Sequence, residues 1–402
     1  MSIIYREKYL NRINQFMGTP IIKILTGMRR VGKSTILSII KNDLLKNVDD
    51  RNKIYMNFES LKLRNIVNDQ DLIEYLIPII DKLKGKIYFF FDEIQLVQNW
   101  EKIVNGLRTD YNCEIFITGS NSKLLSGDLS SLLAGRFVEF EIQPFTFTEF
   151  IQIFKSLNLS MDELFDKFIE LGGMPELKYF DLDEETSSTY LSDVYNTVLV
   201  KDVLRYQSIR DVDLFNRILH FAMENIGHTF SALSIRKFLK NEGREVSVDT
   251  ILNYLSYCQN AFIINKVPRY DTVGKKILKI DEKYYLTDLG FRHAIGFSNH
   301  QDIERSLENI VYQELRSRNY EITIGKVKEL EIDFIAKKKD QIKYFQVAYL
   351  LETEKTRQRE FNVYQEVRDN FPKYVLSLDR INFSQDGIIH QNIIEFLLDD
   401  EK

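Results

Sequence analysis

The stretch Gly27-Met28-Arg29-Arg30-Val31-Gly32-Lys33-Ser34 constrains this 402-residue chain more than any other. Two glycines with four residues between them are closed by Lys-Ser, an apolar run at 21–25 precedes them, and an amphipathic pattern at 33–44 follows. A strand, a glycine turn and a helix in that order let backbone N–H groups and the positive end of the helix face phosphate groups. Lys33 adds a point charge at the β- and γ-phosphates of a triphosphate. Ser34 offers its hydroxyl to Mg²⁺, a hard cation that prefers oxygen. Met28, Arg29, Arg30, Val31 and Thr35 complete the expected cradle, so ATP and Mg²⁺ are the ligands the motif predicts.

An independent motif lies further on. Ile87-Tyr88-Phe89-Phe90-Phe91 has the continuous apolar character of a strand buried on both faces, and it ends in Asp92-Glu93. At the C-terminal end of such a strand, Asp92 can hold a magnesium-bound water while Glu93 orients or deprotonates the attacking one. Short β-type runs at 21–25, 53–57, 86–91, 114–118 and 138–142 alternate with helical patterns at 33–44, 72–84 and 100–111. This alternation predicts a parallel sheet flanked by helices. Thr118-Gly119-Ser120-Asn121-Ser122 then offers short polar groups at the same sheet edge, and it reads equally well as a plain turn.

Composition excludes several classes. With 44% hydrophobic and 28% charged residues and no low-complexity tract, the chain is not of the disordered kind. Apolar runs such as 87–91 fall far short of the roughly 20 residues of a membrane helix, and the N-terminus interleaves charge with apolar residues, so a cytoplasmic location is expected. Cys113 and Cys258 read as reduced core thiols. The histidines His220, His228, His293, His300 and His390 are scattered without ligand spacing. A net charge of −5 weighs against a surface coated with nucleic acid but leaves room for one basic face.

The expected organisation is a core at 1–145, a helical lid at 146–209 broken at Gly172, Gly173 and Pro175, a winged helix at 210–298, and a small α/β domain at 299–402. The polar stretch 298–306 reads as a linker, and the last domain as helix, strand, strand, helix, strand, helix. Lys237 and Lys240 on the second helix of the winged-helix segment, with Lys275 and Lys276 at its wing, are candidates for phosphate contacts. Arg236, Arg244, Lys266, Arg269 and Lys279 add to that basic face, which reads equally as a solvated surface.

Arg29-Arg30 in the glycine loop, Asp92-Glu93-Ile94-Gln95 with Trp100-Glu101, Thr118-Gly119-Ser120, Leu133-Ala134-Gly135-Arg136-Phe137, Pro144-Phe145-Thr146-Phe147-Thr148-Glu149-Phe150, Gly172-Gly173-Met174-Pro175-Glu176 and Lys201-Asp202 with Arg205 resemble one family over nearly the whole chain. It is the prokaryotic AAA+ ATPases with an uncharacterised C-terminal domain. The resemblance implies an α/β P-loop NTPase core with a helical lid, Ser120 as a sensor at the sheet edge, Arg136 as a finger toward the γ-phosphate of a neighbouring copy, and Pro175 packed near the nucleotide. The C-terminal part resembles a PD-(D/E)XK nuclease, with Glu308 as the helix acid and Asp333 as the strand acid. Gln346 and Ala348 stand where that family has an acid and a lysine, so a nuclease-like fold without cleavage is expected. The function implied is a Mg²⁺-dependent ATPase acting as a switch or motor on DNA or a protein partner, compatible with a homo-oligomer. The alternative is a signalling-type ATP-binding protein with no nucleic-acid role.

Overall fold

The computed structural model describes residues 3–125, 133, 135–204, 209–272 and 274–399, with the side chains of Lys123, Leu125, Lys279, Ile280 and Asp281 left aside. The chain forms two compact units, Met1–Gln143 with Asn260–Phe262, and Pro144–Gln259 with Ile263–Lys402. Among the described residues no helix is long and apolar enough to cross a membrane.

The first unit is built on strands β1 (Ile22–Thr26), β2 (Lys53–Asn57), β3 (Ile87–Asp92), β4 (Cys113–Thr118) and β5 (Phe137–Glu141). All pairings are parallel, in the order β2-β3-β4-β1-β5. A parallel sheet covered on both faces needs apolar residues at every position, which is why β3 shows no alternation. Phe89 and Phe91 stack at 5.5 Å and join Ile22, Ile24, Ile115 and Ile117 in a core with Leu72, Leu76, Trp100 and Val104. Phe90 stacks on Phe116 at 5.0 Å instead. Helix Asp69–Ile80 starts at a reciprocal cap between Asn68 and Asp71, and helix Lys33–Ile39 follows the glycine loop directly.

A buried ion cluster lies within this apolar sheet. Lys23, fully buried on β1, donates to Glu114 Oε1 at 2.7 Å and to Thr19 O at 3.2 Å, while Lys86 holds Glu114 Oε2 at 2.7 Å. Burying either charge alone would cost several kcal/mol, so the cluster stands or falls together.

In the second unit, helices Phe147–Phe154, Met161–Leu171 and Glu184–Val198 are each started by a side-chain cap, from Thr146, Ser160 and Asp183. Val212–Glu224, Ala232–Asn241 and Val248–Asn260 follow, then the hairpin β6 (Ile264–Asp271) and β7 (Lys276–Leu286). After helix Ile303–Ser317 come β8 (Glu321–Val327), β9 (Leu330–Lys338), β10 (Gln341–Val347), helix Glu354–Asn362, β11 (Lys373–Ser377), β12 (Ile389–Asn392) and helix Ile393–Leu398.

These strands make one sheet, β12-β11-β10-β9-β8-β6-β7. Here the structure differs from an organisation divided at 298/299, because β6 pairs in parallel with β8 through Arg269, Tyr270 and Asp271. The pairing covers what would otherwise be an open edge of β8. The C-terminal region also holds two more strands than its sequence suggests: β8 and β9 are separated only by Lys328 and Glu329, and β12 has four residues.

The stretch 298–306 is tied into the fold through its buried Asn299 and Ser306 rather than running free as a linker. Arg292, wholly buried, donates to Met223 O, Ser298 O and Asn299 Oδ1 and pairs with Asp302. Asn299 in turn donates to Ile169 O at 2.8 Å and Leu289 O at 3.1 Å. Its polarity serves internal hydrogen bonds rather than solvent.

The glycine pair has a similar explanation. Gly172 has φ +72°, and a Cβ there would lie 1.9 Å from Asp288 Oδ1. Asp288 accepts from Gly173 N and from Gly290 N, each at 2.8 Å. Burial raises its carboxyl from 3.8 to about 7, against the two N–H donors that favour the ionised form.

Candidate functional site

The strand order brings the C-terminal ends of β1, β4 and β3 side by side, so the glycine loop, residues 118–121 and Asp92-Glu93 share one edge of the first unit. Gly27 (φ +130°) and Gly32 (φ +96°) give the loop its curl, and a Cβ on Gly27 would fall 2.2 Å from Ile142 O. Arg30 also adopts a positive φ of 70°, while Met28 and Val31 are buried beneath the turn.

Lys33 lies under the loop and donates to Gly27 O at 2.9 Å and Met28 O at 3.0 Å, with its ammonium 3.7 Å from Glu93 Oε1. Ser34 donates to Asp92 Oδ1 at 3.0 Å. Thr118 donates to the same oxygen at 2.5 Å and accepts from Glu93 N at 2.9 Å, while Tyr55 donates to Asp92 Oδ2 at 2.8 Å. Burial and the Asp92 charge push the Tyr55 phenol far above its ordinary range, so it stays a donor.

Glu93 begins where β3 ends, in the left-handed conformation with φ 57°. Its Oε2 accepts from Gln95 Nε2 at 2.5 Å and Ser120 Oγ at 3.1 Å. Burial pushes this carboxyl up, but the Lys33 and Arg29 charges and the hydrogen bonds from Gln95 and Ser120 outweigh it and leave it below its ordinary value. A carboxylate so held is ionised and fixed, as a base or water-orienting group must be. Gln95 Oε1 is buried with no hydrogen-bond partner among the described residues, an acceptor beside that carboxylate which a water would satisfy.

The donor set fits a triphosphate with a hard cation. Ser34 and Asp92 have adjoining oxygens that could hold Mg²⁺, and Lys33 with the glycine turn and the start of helix Lys33–Ile39 would offer the positive face. Arg29, in the same loop, pairs with Glu59 at 2.8 Å, and Thr35 is exposed on the first turn of the helix. Arg136 is exposed and donates to Asn105 Oδ1 at 3.0 Å. Ala134 and Arg205 lie outside the described residues, and Pro175 belongs to the second unit, where it opens the turn Pro175–Tyr179.

Three residues of this edge were assigned no role from the sequence. Arg6, buried near the N-terminus, donates to Val31 O at 3.2 Å and Gln143 O at 2.7 Å, steadying the loop from below. Tyr55 and Gln95 are the others. Only the position of Gln95, two residues past Glu93, gave a sequence signal.

In the second unit the structure brings Glu308, Asp333 and Gln346 together and adds Lys283 and Glu331. Lys283 Nζ lies 2.8 Å from Glu308 Oε1, 2.9 Å from Glu331 Oε1 and 3.5 Å from Asp333 Oδ1. Burial alone would lower this ammonium, but the three acids outweigh it and raise it. Asp333 Oδ2 accepts from Val347 N at 2.9 Å, and Gln346 Oε1 accepts from Asp333 N at 3.3 Å.

Lys237, Lys240, Lys275 and Lys276 are all exposed, the first two on helix Ala232–Asn241 and the others at the β6–β7 turn. Part of the expected basic face is neutralised, because Arg244 pairs with Asp213 at 2.5 Å, Lys266 with Glu282 at 2.7 Å and Arg269 with Glu331 at 3.4 Å. The side chain of Lys279 lies outside the described set. Glu170, Glu184 and His293 place one ligand atom each within 4.8 Å of one another, a grouping the spacing of the histidines concealed. Lys167 reaches both acids, at 3.4 and 4.0 Å.

A parallel sheet with a glycine cradle at the end of β1 and paired acids at the end of β3 is the arrangement of a P-loop nucleotide-binding domain. A family model described as an AAA domain matches residues 19–151, and one described as a domain of unknown function matches 162–301. The chain is 36% identical to an uncharacterized protein of Haemophilus influenzae, over 99% of both chains. It is 31% identical to an uncharacterized protein of Methanocaldococcus jannaschii, over 96% of this chain and 88% of that one. This chain belongs to the same family as these two proteins. Among solved structures, the Walker-type ATPase of Pyrococcus abyssi is similar in fold, with a TM-score of 0.51 at 18% identity, covering 73% of this chain and 95% of that one.

Proposed function

We propose that the protein is a Mg²⁺-dependent ATPase whose nucleotide state sets how its second unit meets a partner. The observation that carries this reading is the held Glu93 carboxylate, 3.7 Å from Lys33 and one residue from the Asp92–Ser34 pair. Lys33 and the glycine loop would bind the triphosphate, Ser34 and Asp92 would hold Mg²⁺, which screens phosphate charge, and Glu93 would take the proton of the attacking water. Ser120 and Gln95 position Glu93 for that step. Arg136, on the surface of the first unit, is suited to act as a finger toward a neighbouring copy's nucleotide.

DNA is the partner class favoured for the second unit, on the strength of exposed Lys237, Lys240, Lys275 and Lys276 on a helix and hairpin in winged-helix order. The C-terminal sheet is read as a nuclease-like fold without cleavage, because neither Gln346 nor Ala348 restores the missing acid and lysine.

The test separates binding from hydrolysis. Lys33→Ala is expected to lose ATP binding and turnover together, whereas Glu93→Gln keeps Mg²⁺-ATP binding and loses turnover by at least about a hundredfold. Wild-type protein that neither binds nor turns over ATP, with or without DNA, sinks the reading.

A further inference from the structure

We propose that the Lys283 ammonium fills the cation position of the C-terminal sheet, closing that acidic site to divalent metal until the ammonium is removed. The inference rests on reading this sheet as a nuclease-like fold without cleavage and is independent of the ATPase reading.

Three acids from two elements converge on one atom: Glu308 from helix Ile303–Ser317, and Glu331 and Asp333 from the same face of β9. Each touches Lys283 Nζ, at 2.8, 2.9 and 3.5 Å. The ammonium donates a hydrogen bond to Glu308 and a longer one to Asp333, and it is ion-paired with Glu331. A divalent ion would draw the same oxygens to about 2.0–2.6 Å and cannot share the space with Nζ.

Part of the remaining ligand capacity is spent inward. Glu308 Oε1 also accepts from the Tyr285 hydroxyl, Asp333 Oδ2 from Val347 N, and Gln346 Oε1 from Asp333 N. Arg269 takes Glu331 Oε2 at 3.4 Å. Lys283 is 3% exposed, so the ammonium is sealed in rather than hovering at the mouth of a site. Because it is tethered to β7, no concentration of free cation competes with it on equal terms. Taking it away leaves three carboxyl groups facing each other, an oxygen donor set suited to a hard divalent ion.

The experiment is a Mn²⁺ titration of the full-length chain without nucleotide, followed by the paramagnetic resonance of free Mn²⁺. Ser34→Ala is present throughout to silence the P-loop cation position. With Lys283 intact no Mn²⁺ is taken up, whereas Lys283→Ala binds about one Mn²⁺ per chain, and its unfolding temperature rises with Mn²⁺ while that of the parent does not. Uptake by the parent that Asp333→Asn abolishes overturns the proposal. So does a folded Lys283→Ala that binds none. Should Lys283→Ala fail to fold, Lys283→Gln and the parent titration decide in the same terms. Mg²⁺-dependent DNA cleavage by wild-type protein would instead remove the reading of the sheet as non-cleaving, a failure separable from absent Mn²⁺ uptake.

Discussion

Glu93 owes its position to residues on three sides: Thr118 accepts its N–H, Gln95 and Ser120 donate to its carboxylate, and Lys33 faces the other oxygen. Gln95 is the one to which no role was assigned from the sequence, although it closes the quoted run Asp92-Glu93-Ile94-Gln95. Its hydrogen bond is charge-assisted, worth about 1.5 kcal/mol, so Gln95→Ala is expected to lower kcat about tenfold while the affinity for Mg²⁺-ATP is unchanged. A normal kcat in steady-state assays would show that Gln95 only fills space. That the glycine loop, Asp92 and Glu93 meet at one sheet edge was legible in the sequence because each belongs to a contiguous motif whose spacing is set by strand ends; residues 118–122 read equally as a plain turn. Arg6 and Tyr55 were not, since a hydrogen bond from Arg6 to Val31, or from Tyr55 to Asp92, joins residues 25 and 37 positions apart with no local pattern.

At the scale of elements, the five strands of the first sheet were readable to within a residue or so because parallel pairing demands continuous apolar runs. The second sheet was harder. Its edge strand β7 carries the charges of Glu282 and Lys283, which interrupt the pattern, and Lys283 is buried only because acids from other elements meet it. The stretch 298–306 misled for the same reason, since polarity says nothing about whether the partner is water or Arg292.

Asp288 joins two elements by holding the N–H groups of Gly173, after helix Met161–Leu171, and Gly290, which opens helix Gly290–Ala294. Its carboxyl ordinarily titrates near 3.8 and is raised to about 7 here by burial. A folded-state value above the unfolded one means the group's contribution is full below the unfolded value and is lost as pH rises through about 7. Denaturant unfolding from about pH 5 to pH 8 should therefore show wild-type stability falling relative to Asp288→Asn by roughly 1–3 kcal/mol. The loss of one N–H acceptor in the variant is a constant offset. Parallel pH profiles would refute the assignment.

For the molecule as a whole, the two units carry different proposed chemistry, nucleotide in the first and partner contacts in the second. If exposed Lys275 and Lys276 meet phosphates, duplex DNA binding weakens steeply with salt, and replacing both by alanine reduces the slope of log K against log salt by about 2. Fluorescence anisotropy at several salt concentrations measures this. Binding indifferent to both salt and the substitutions would move the partner from DNA to protein.

The ion cluster inside the first sheet has a consequence for chemistry on the intact protein. Lys23 is wholly enclosed while its companion Lys86 reaches the surface. An amine-acylating reagent therefore modifies Lys86 at once but reaches Lys23 only when β1 parts from its neighbours. The pace at which Lys23 is acylated becomes a clock for breathing of the strand that leads into the glycine turn.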